Sequence, residues 1–116
     1  MDKVTLLRRA LETWPEEIIE GELISLEGVC STGHMYNVLR EEDPTLLHLW
    51  VGMEKDKKYV RQIQEKIYDF VGDILEEDLY FENDKFFEDD YDIDNIERSV
   101  RMKKYCEEML RNCENS

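Results

Sequence analysis

The stretch from Glu76 to Glu97 constrains this chain more than any other, because it sets eleven Asp and Glu residues against the single Lys85. Its net charge is −10, which leaves −4 of the chain's −14 for the other 94 residues. The charge is therefore local, and a block of like charge this dense belongs at a surface. Five aromatics, Tyr80, Phe81, Phe86, Phe87 and Tyr91, are threaded between the acids. That is more apolar surface than a disordered acidic tail carries, so the segment is expected to fold or to dock.

With 116 residues the chain reads as a single domain, 1–116, with one modest core. A high charged fraction with only five Gly and two Pro favours helices with solvated faces. No basic leader with a long apolar core opens the sequence and no apolar run is long enough to span a bilayer, so neither export nor membrane insertion is expected. Cys30, Cys106 and Cys113 are not closely paired, which fits a reducing cytoplasm better than a disulfide framework. A net charge of −14 repels nucleic acid and anionic lipid, so direct binding to either is not expected.

The periodicity predicts a mainly α (α+β) fold of about five helices around a central helix 56–77, with a short β-hairpin near residues 22–30. Val4, Leu7, Ala10, Leu11 and Trp14 lie at helical spacing after Asp2, a possible N-cap, and Pro15 stops the helix. Glu22 to Leu26 alternates, Gly28 supplies a turn, and Val29-Cys30 returns as a strand. Ser31 and Thr32 offer caps for a second helix with Met35, Val38 and Leu39 on one face, ending near Glu42. Asp43-Pro44 reads as the start of a third, running through Leu46, Leu47, Trp50 and Val51 to a stop at Gly52. The fourth has the clearest period, with Val60, Ile63, Ile67, Phe70, Val71 and Ile74 inward. Asp94 and Glu97 have capping-box spacing for a fifth, expected to carry Ile96, Val100, Cys106, Leu110 and Cys113.

Lys55, Lys57, Lys58 and Arg61 open the fourth helix, while Glu76, Glu77 and Asp78 close it. Both ends oppose the helix dipole, each charge at a cost of a few tenths to about 1 kcal/mol, so helix stability does not account for those acids. A surface for a basic partner does account for them. Carboxylates pair with Lys and Arg, and interleaved rings pack on their stems. The expected partner-binding set is Glu76, Glu77, Asp78, Tyr80, Phe81, Glu82, Asp84, Phe86, Phe87, Glu88, Asp89, Asp90, Tyr91 and Asp92. The plainer alternative is a solvated loop that keeps the chain in solution.

Other chemistries fit the residues less well. Asp90, Asp92 and Asp94 alternate like the opening ligands of a calcium loop, but Asn95 stands where its glycine belongs and Arg101 where its bidentate Glu belongs. A zinc site would need Cys30, His34, Cys106 and Cys113 to meet across the fold, which their spacing does not demand. Cys30 with His34 nearby offers a nucleophile but no orienting third residue. Glu17 and Glu20 match half of the metal motif of all-helical nucleotide pyrophosphatases, yet no Glu-x-x-Asp follows. Neither catalytic activity nor a cofactor is expected.

In size, helical content and acidity the chain resembles small acidic phage-encoded DNA-mimic and anti-defence inhibitors, a resemblance that carries no shared motif. It also resembles small phage-type and actinobacterial domains that run helix, Trp, Gly, hairpin, Cys-x-x-Gly, helices and Asn-Asp, through Trp14, Gly21, Gly28, Cys30, Gly33, Asn83 and Asp84. It departs from them at His34-Met35 and in the acidic insertion around Asn83-Asp84. These resemblances imply a phage-like setting in a host cytoplasm. The favoured expectation is a protein-binding inhibitor that occupies the basic nucleic-acid site of a target protein. The alternatives are a zinc-stabilised helical adaptor and a plain helical homodimer.

Overall fold

The computed structural model describes residues 1–19, 24–25, 28–46, 57–77, 79 and 94–115, with backbone alone at 24–25 and 57–61. Helix α1 spans Lys3–Glu12, and Asp2 caps it, its carboxylate accepting the Thr5 N–H at 2.8 Å. Leu6, Leu7 and Ala10 form its buried stripe. Beyond it, strands β1 (Ile24–Ser25) and β2 (Gly28–Val29) pair antiparallel with Ile24 opposite Val29, as the alternation predicts. Gly28 has φ +145°, a backbone region that only glycine enters without strain.

Helix α2 covers Ser31–Glu42, α3 covers Lys57–Leu75, and α4 covers Asn95–Glu114. Among the described residues α1 packs against both α4 and α2, and α2 packs against α3 and β2. The middle of the core is therefore α2, of whose twelve residues eight are buried. The long helix expected over residues 56–77 is α3, and among the described residues it packs on α2. Its reach inward is the stripe Ile67, Val71 and Leu75, extended by Leu79, whereas Phe70 is 41% exposed.

Burying α2 requires partners for its polar groups. Cys30, not Ser31 or Thr32, is its N-cap, the thiol sulfur accepting the Gly33 N–H at 3.3 Å. Ser31 and Thr32 instead occupy its first turn and are buried. The His34 ring donates from Nε2 to the Ala10 carbonyl at 2.9 Å, and Thr13 Oγ1 donates to the Arg9 carbonyl at 3.0 Å. Two of the four carbonyls that α1 leaves open at its end are thus satisfied by side chains.

Trp14 stands edge-on to His34 with ring centroids 5.3 Å apart. Its indole N–H is shared between the Ser99 carbonyl at 3.0 Å and the Ser99 hydroxyl at 3.1 Å, and that hydroxyl donates to the Pro15 carbonyl at 2.5 Å. Further on, the Ile18 N–H reaches the Asn95 carbonyl at 2.9 Å and the Ile19 N–H reaches the Val29 carbonyl at 3.1 Å. The segment after α1 is in this way fastened to the start of α4 and to the hairpin.

Three further expectations are revised. Asp43 closes α2, its side chain accepting the Thr45 N–H at 3.1 Å, and residues 44–46, expected to begin a third helix, form a turn. Residues 47–52 of that expected element lie outside the described residues, among which there are four helices. The inward face of α4 is Arg98, Ser99, Met102, Cys106 and Met109, while Ile96 and Val100 are 57% and 64% exposed. Ser99 turns inward because Trp14 holds it. Asp94 does cap α4, accepting the Glu97 N–H at 2.7 Å, but Glu97 pairs forward with Arg101 at 2.7 Å instead of completing the box.

Two outcomes follow for the Trp14 corner. Trp14→Phe should lower the unfolding free energy by about 1–3 kcal/mol, from lost indole hydrogen bonds and lost contact, read as a lower urea midpoint at unchanged slope. Burial pushes the His34 imidazole below its ordinary 6.5, outweighing the Ala10 carbonyl and the Glu41 charge. The folded ring binds its proton less readily than the unfolded one, so its contribution is complete well above pH 6.5 and is lost as pH falls below that value. Asp2 and Asp43, held below 3.8 by hydrogen bonds from Thr5 and Thr45, lose theirs in a later, more acid window. Thermal midpoints taken from about pH 7.5 to 5 should fall more steeply for the wild type than for His34→Gln, and parallel curves would clear the imidazole of any role.

Candidate functional site

The outer side of α3 carries Asp69 and Asp73, and the turn that follows carries Glu76 and Glu77; all four are exposed. Asp69 and Asp73, four residues apart, share one side of the helix, away from Ile67, Val71 and Leu75. All four acids border a groove of about 500 Å³ whose other described walls are Thr32, Tyr68, Val71, Gly72 and Leu79. No Lys or Arg is among its described lining residues. Across the Glu76-Glu77 turn lies a second hollow of about 380 Å³, edged by Lys3, Tyr105, Glu108 and Cys113.

The turn between the two hollows is held in a costly conformation. Glu76 has φ +59°, the left-handed region, and its N–H closes α3 on the Gly72 carbonyl at 2.7 Å. Glycine is the residue that usually ends a helix this way, and for other residues the left-handed region costs about 1–2 kcal/mol. Glu77 is fixed from the other side by the Tyr105 hydroxyl, which donates to its Oε2 at 3.0 Å from α4. An acid at a helix C-terminus also opposes the dipole. Two independent preferences are thus set aside at the same spot.

Of the expected partner-binding residues, Glu76 and Glu77 take these positions. Asp78, Tyr80, Phe81, Glu82, Asp84, Phe86, Phe87, Glu88, Asp89, Asp90, Tyr91 and Asp92 lie outside the described residues. Asp69 and Asp73 were not in that set, although the signal was present: stepping back from Glu77 by four and by eight residues reaches both. Leu79, amid the acids, is 2% exposed and belongs to the core.

The residues considered for metal and nucleophile chemistry are not brought together. Among the described residues no three His, Cys, Asp or Glu side chains are grouped so as to hold a metal ion, Cys30, His34, Cys106 and Cys113 included. Cys30 is 1% exposed with its sulfur engaged as a cap, and the His34 Nε2 is turned to Ala10. Burial drives the Cys106 thiol up to about 12, far from a reactive thiolate. Asp94, the third acid of the calcium-like run, is spent on the α4 cap. No helix among the described residues is long and apolar enough to cross a membrane.

The turn yields a direct stability outcome. Glu76→Gly removes both the left-handed strain and a misplaced charge, and should raise the unfolding free energy by about 1–2 kcal/mol, seen as a higher urea midpoint at the same slope. A lower midpoint would mean that the Glu76 side chain itself holds the turn. Comparison of the chain with family models, with curated proteins and with solved structures gave no match in any of the three.

Proposed function

We propose that this chain is a protein-binding inhibitor, of the DNA-mimic and anti-defence kind, whose acidic surface occupies the basic nucleic-acid site of a target protein. The observation that carries this reading is the continuation of exposed carboxylates from the acidic stretch back along α3, through Glu77, Glu76, Asp73 and Asp69. From Asp69 to Asp73 the axis of α3 rises about 6 Å, and Glu76 and Glu77 continue the charges into the turn that follows, a dense series of anions as on a DNA strand, where the phosphates lie about 3.4 Å apart. A cleft shaped to a phosphate row meets a similar row of anions here. The left-handed Glu76 and the reversed dipole pairing support the reading further, since both cost stability for the sake of charge at that position.

A second reading has an observation of its own. Ile96 and Val100, one turn apart on α4, stand 57% and 64% exposed, which favours apolar association with another copy of the chain. It predicts a mass that rises with concentration and reverts in the Ile96→Ser/Val100→Ser variant.

The inhibitor reading is tested by passing nucleic-acid-binding protein fractions at low salt over immobilised wild type and over Asp89→Lys/Asp90→Lys. The wild type should retain a nucleic-acid enzyme that duplex DNA displaces and that the variant does not hold. Retention of the same protein by both would overturn the reading and return the stretch to a solvated loop.

A further inference from the structure

Helix α4 carries an apolar pair on its outer side, and the charges around that pair are ordered. Ile96 and Val100, one turn apart, are 57% and 64% exposed and face away from the buried Met102, Cys106 and Met109. Toward the N-terminus stand Asp94 and Glu97, and toward the C-terminus stand Arg101, Lys103 and Lys104, all exposed. Glu97 and Arg101, beside the pair, are bonded to each other at 2.7 Å. Along the whole of α4 the exposed charges cancel, four acidic against four basic, so two copies of a chain carrying −14 do not repel through this helix.

The order of acids, apolar pair and bases is its own complement. Turned end for end and laid against itself, it sets each charge opposite its counter-charge, whereas two copies laid parallel would set acid on acid and base on base. Ile96 of each copy then meets Val100 of the other. Glu97 of each meets Arg101 of the other, and Asp94 meets the end that carries Lys103 and Lys104, all about one two-fold axis near residue 98. A second copy of this chain is therefore the partner whose charges match this face.

We propose that two copies of the chain pair antiparallel through α4 around Ile96 and Val100, with the Glu97–Arg101 bridges of the two helices joined into one ring of four charges. The proposal deepens the reading of copy-to-copy association given above and rests on it for the fact of association; orientation and register are what it adds. Burial of four branched side chains supplies the attraction, and the ring supplies the direction. The contact is small, so the pairing is weak and shows at high concentration.

The test is sedimentation equilibrium of the full chain from about 10 μM to about 1 mM. The mass of the wild type should rise from 14.0 kDa toward twice that value. Glu97→Lys and Arg101→Glu each place like charge against like in both halves of the ring, and each should weaken association about tenfold. Arg101→Glu lies beyond the first turn of α4, so it leaves the Asp94 cap in place. Glu97→Lys/Arg101→Glu exchanges the two signs, keeps the antiparallel match, and should return close to the wild-type curve. Far-UV circular dichroism reads the helix content of each variant, and the double substitution, which restores the pair within the helix, decides if either single one loses it. Association that disappears in Ile96→Ser/Val100→Ser but ignores both single reversals, or that the double substitution does not restore, would overturn the register and leave copy-to-copy association standing. A mass of 14.0 kDa throughout, or association undiminished in the serine variant, would remove both.

Discussion

The fold depends on burying α2, a helix whose sequence does not advertise itself as a core element. Ser31, Thr32, His34 and Tyr36 all lie inside, and burying polar groups is costly unless hydrogen bonds are supplied there, as they are for these residues apart from the Thr32 hydroxyl. Much of the rest of the structure serves that requirement. Cys30 caps the first turn, α1 ends where its Ala10 carbonyl can meet His34, and Trp14 closes over the imidazole while fastening to Ser99 on α4. Three helices are joined through one indole and one imidazole, so the geometry of the corner sets how α1, α2 and α4 meet.

What the sequence disclosed was what strong periodicity and short-range capping disclose. The caps at Asp2 and Asp94, the hairpin at Gly28 and the long amphipathic helix ending near Leu75 are local events, and local chemistry decides them. The depth to which α2 is buried was not legible, because α3 has the cleaner stripe and α2 the poorer one. Which helix lies in the middle is decided by the partners that the others bring. Ile96 and Val100 were read inward for the same reason; only the bond from Trp14, 85 residues away, shows that Ser99 takes that side. Asp43 was read as a helix start because Asp-Pro serves that purpose often, and residues 44–46 form a turn there, held by the Asp43 carboxylate.

Of the candidate site, the sequence disclosed the acids and the fact that Glu76 and Glu77 oppose the dipole. It did not disclose that Glu76 would sit at a left-handed φ, nor that Tyr105 would reach across to Glu77. A left-handed turn and acids set against the helix dipole are separate costs to stability, and both lie at the end of α3. That coincidence joins fold to function here: the chain gives up some stability where it presents its charge.

The central claim is that the exposed carboxylates of this surface steer a basic partner, and the association rate reports steering most directly. The rate constant for wild type binding the nucleic-acid enzyme it retains should be measured across a series of salt concentrations, with the dissociation rate followed in parallel. Steering by screened charge predicts an association rate that falls steeply as salt rises, with a dissociation rate that changes little. An association rate indifferent to salt would contradict the account and move recognition to the apolar faces of the helices.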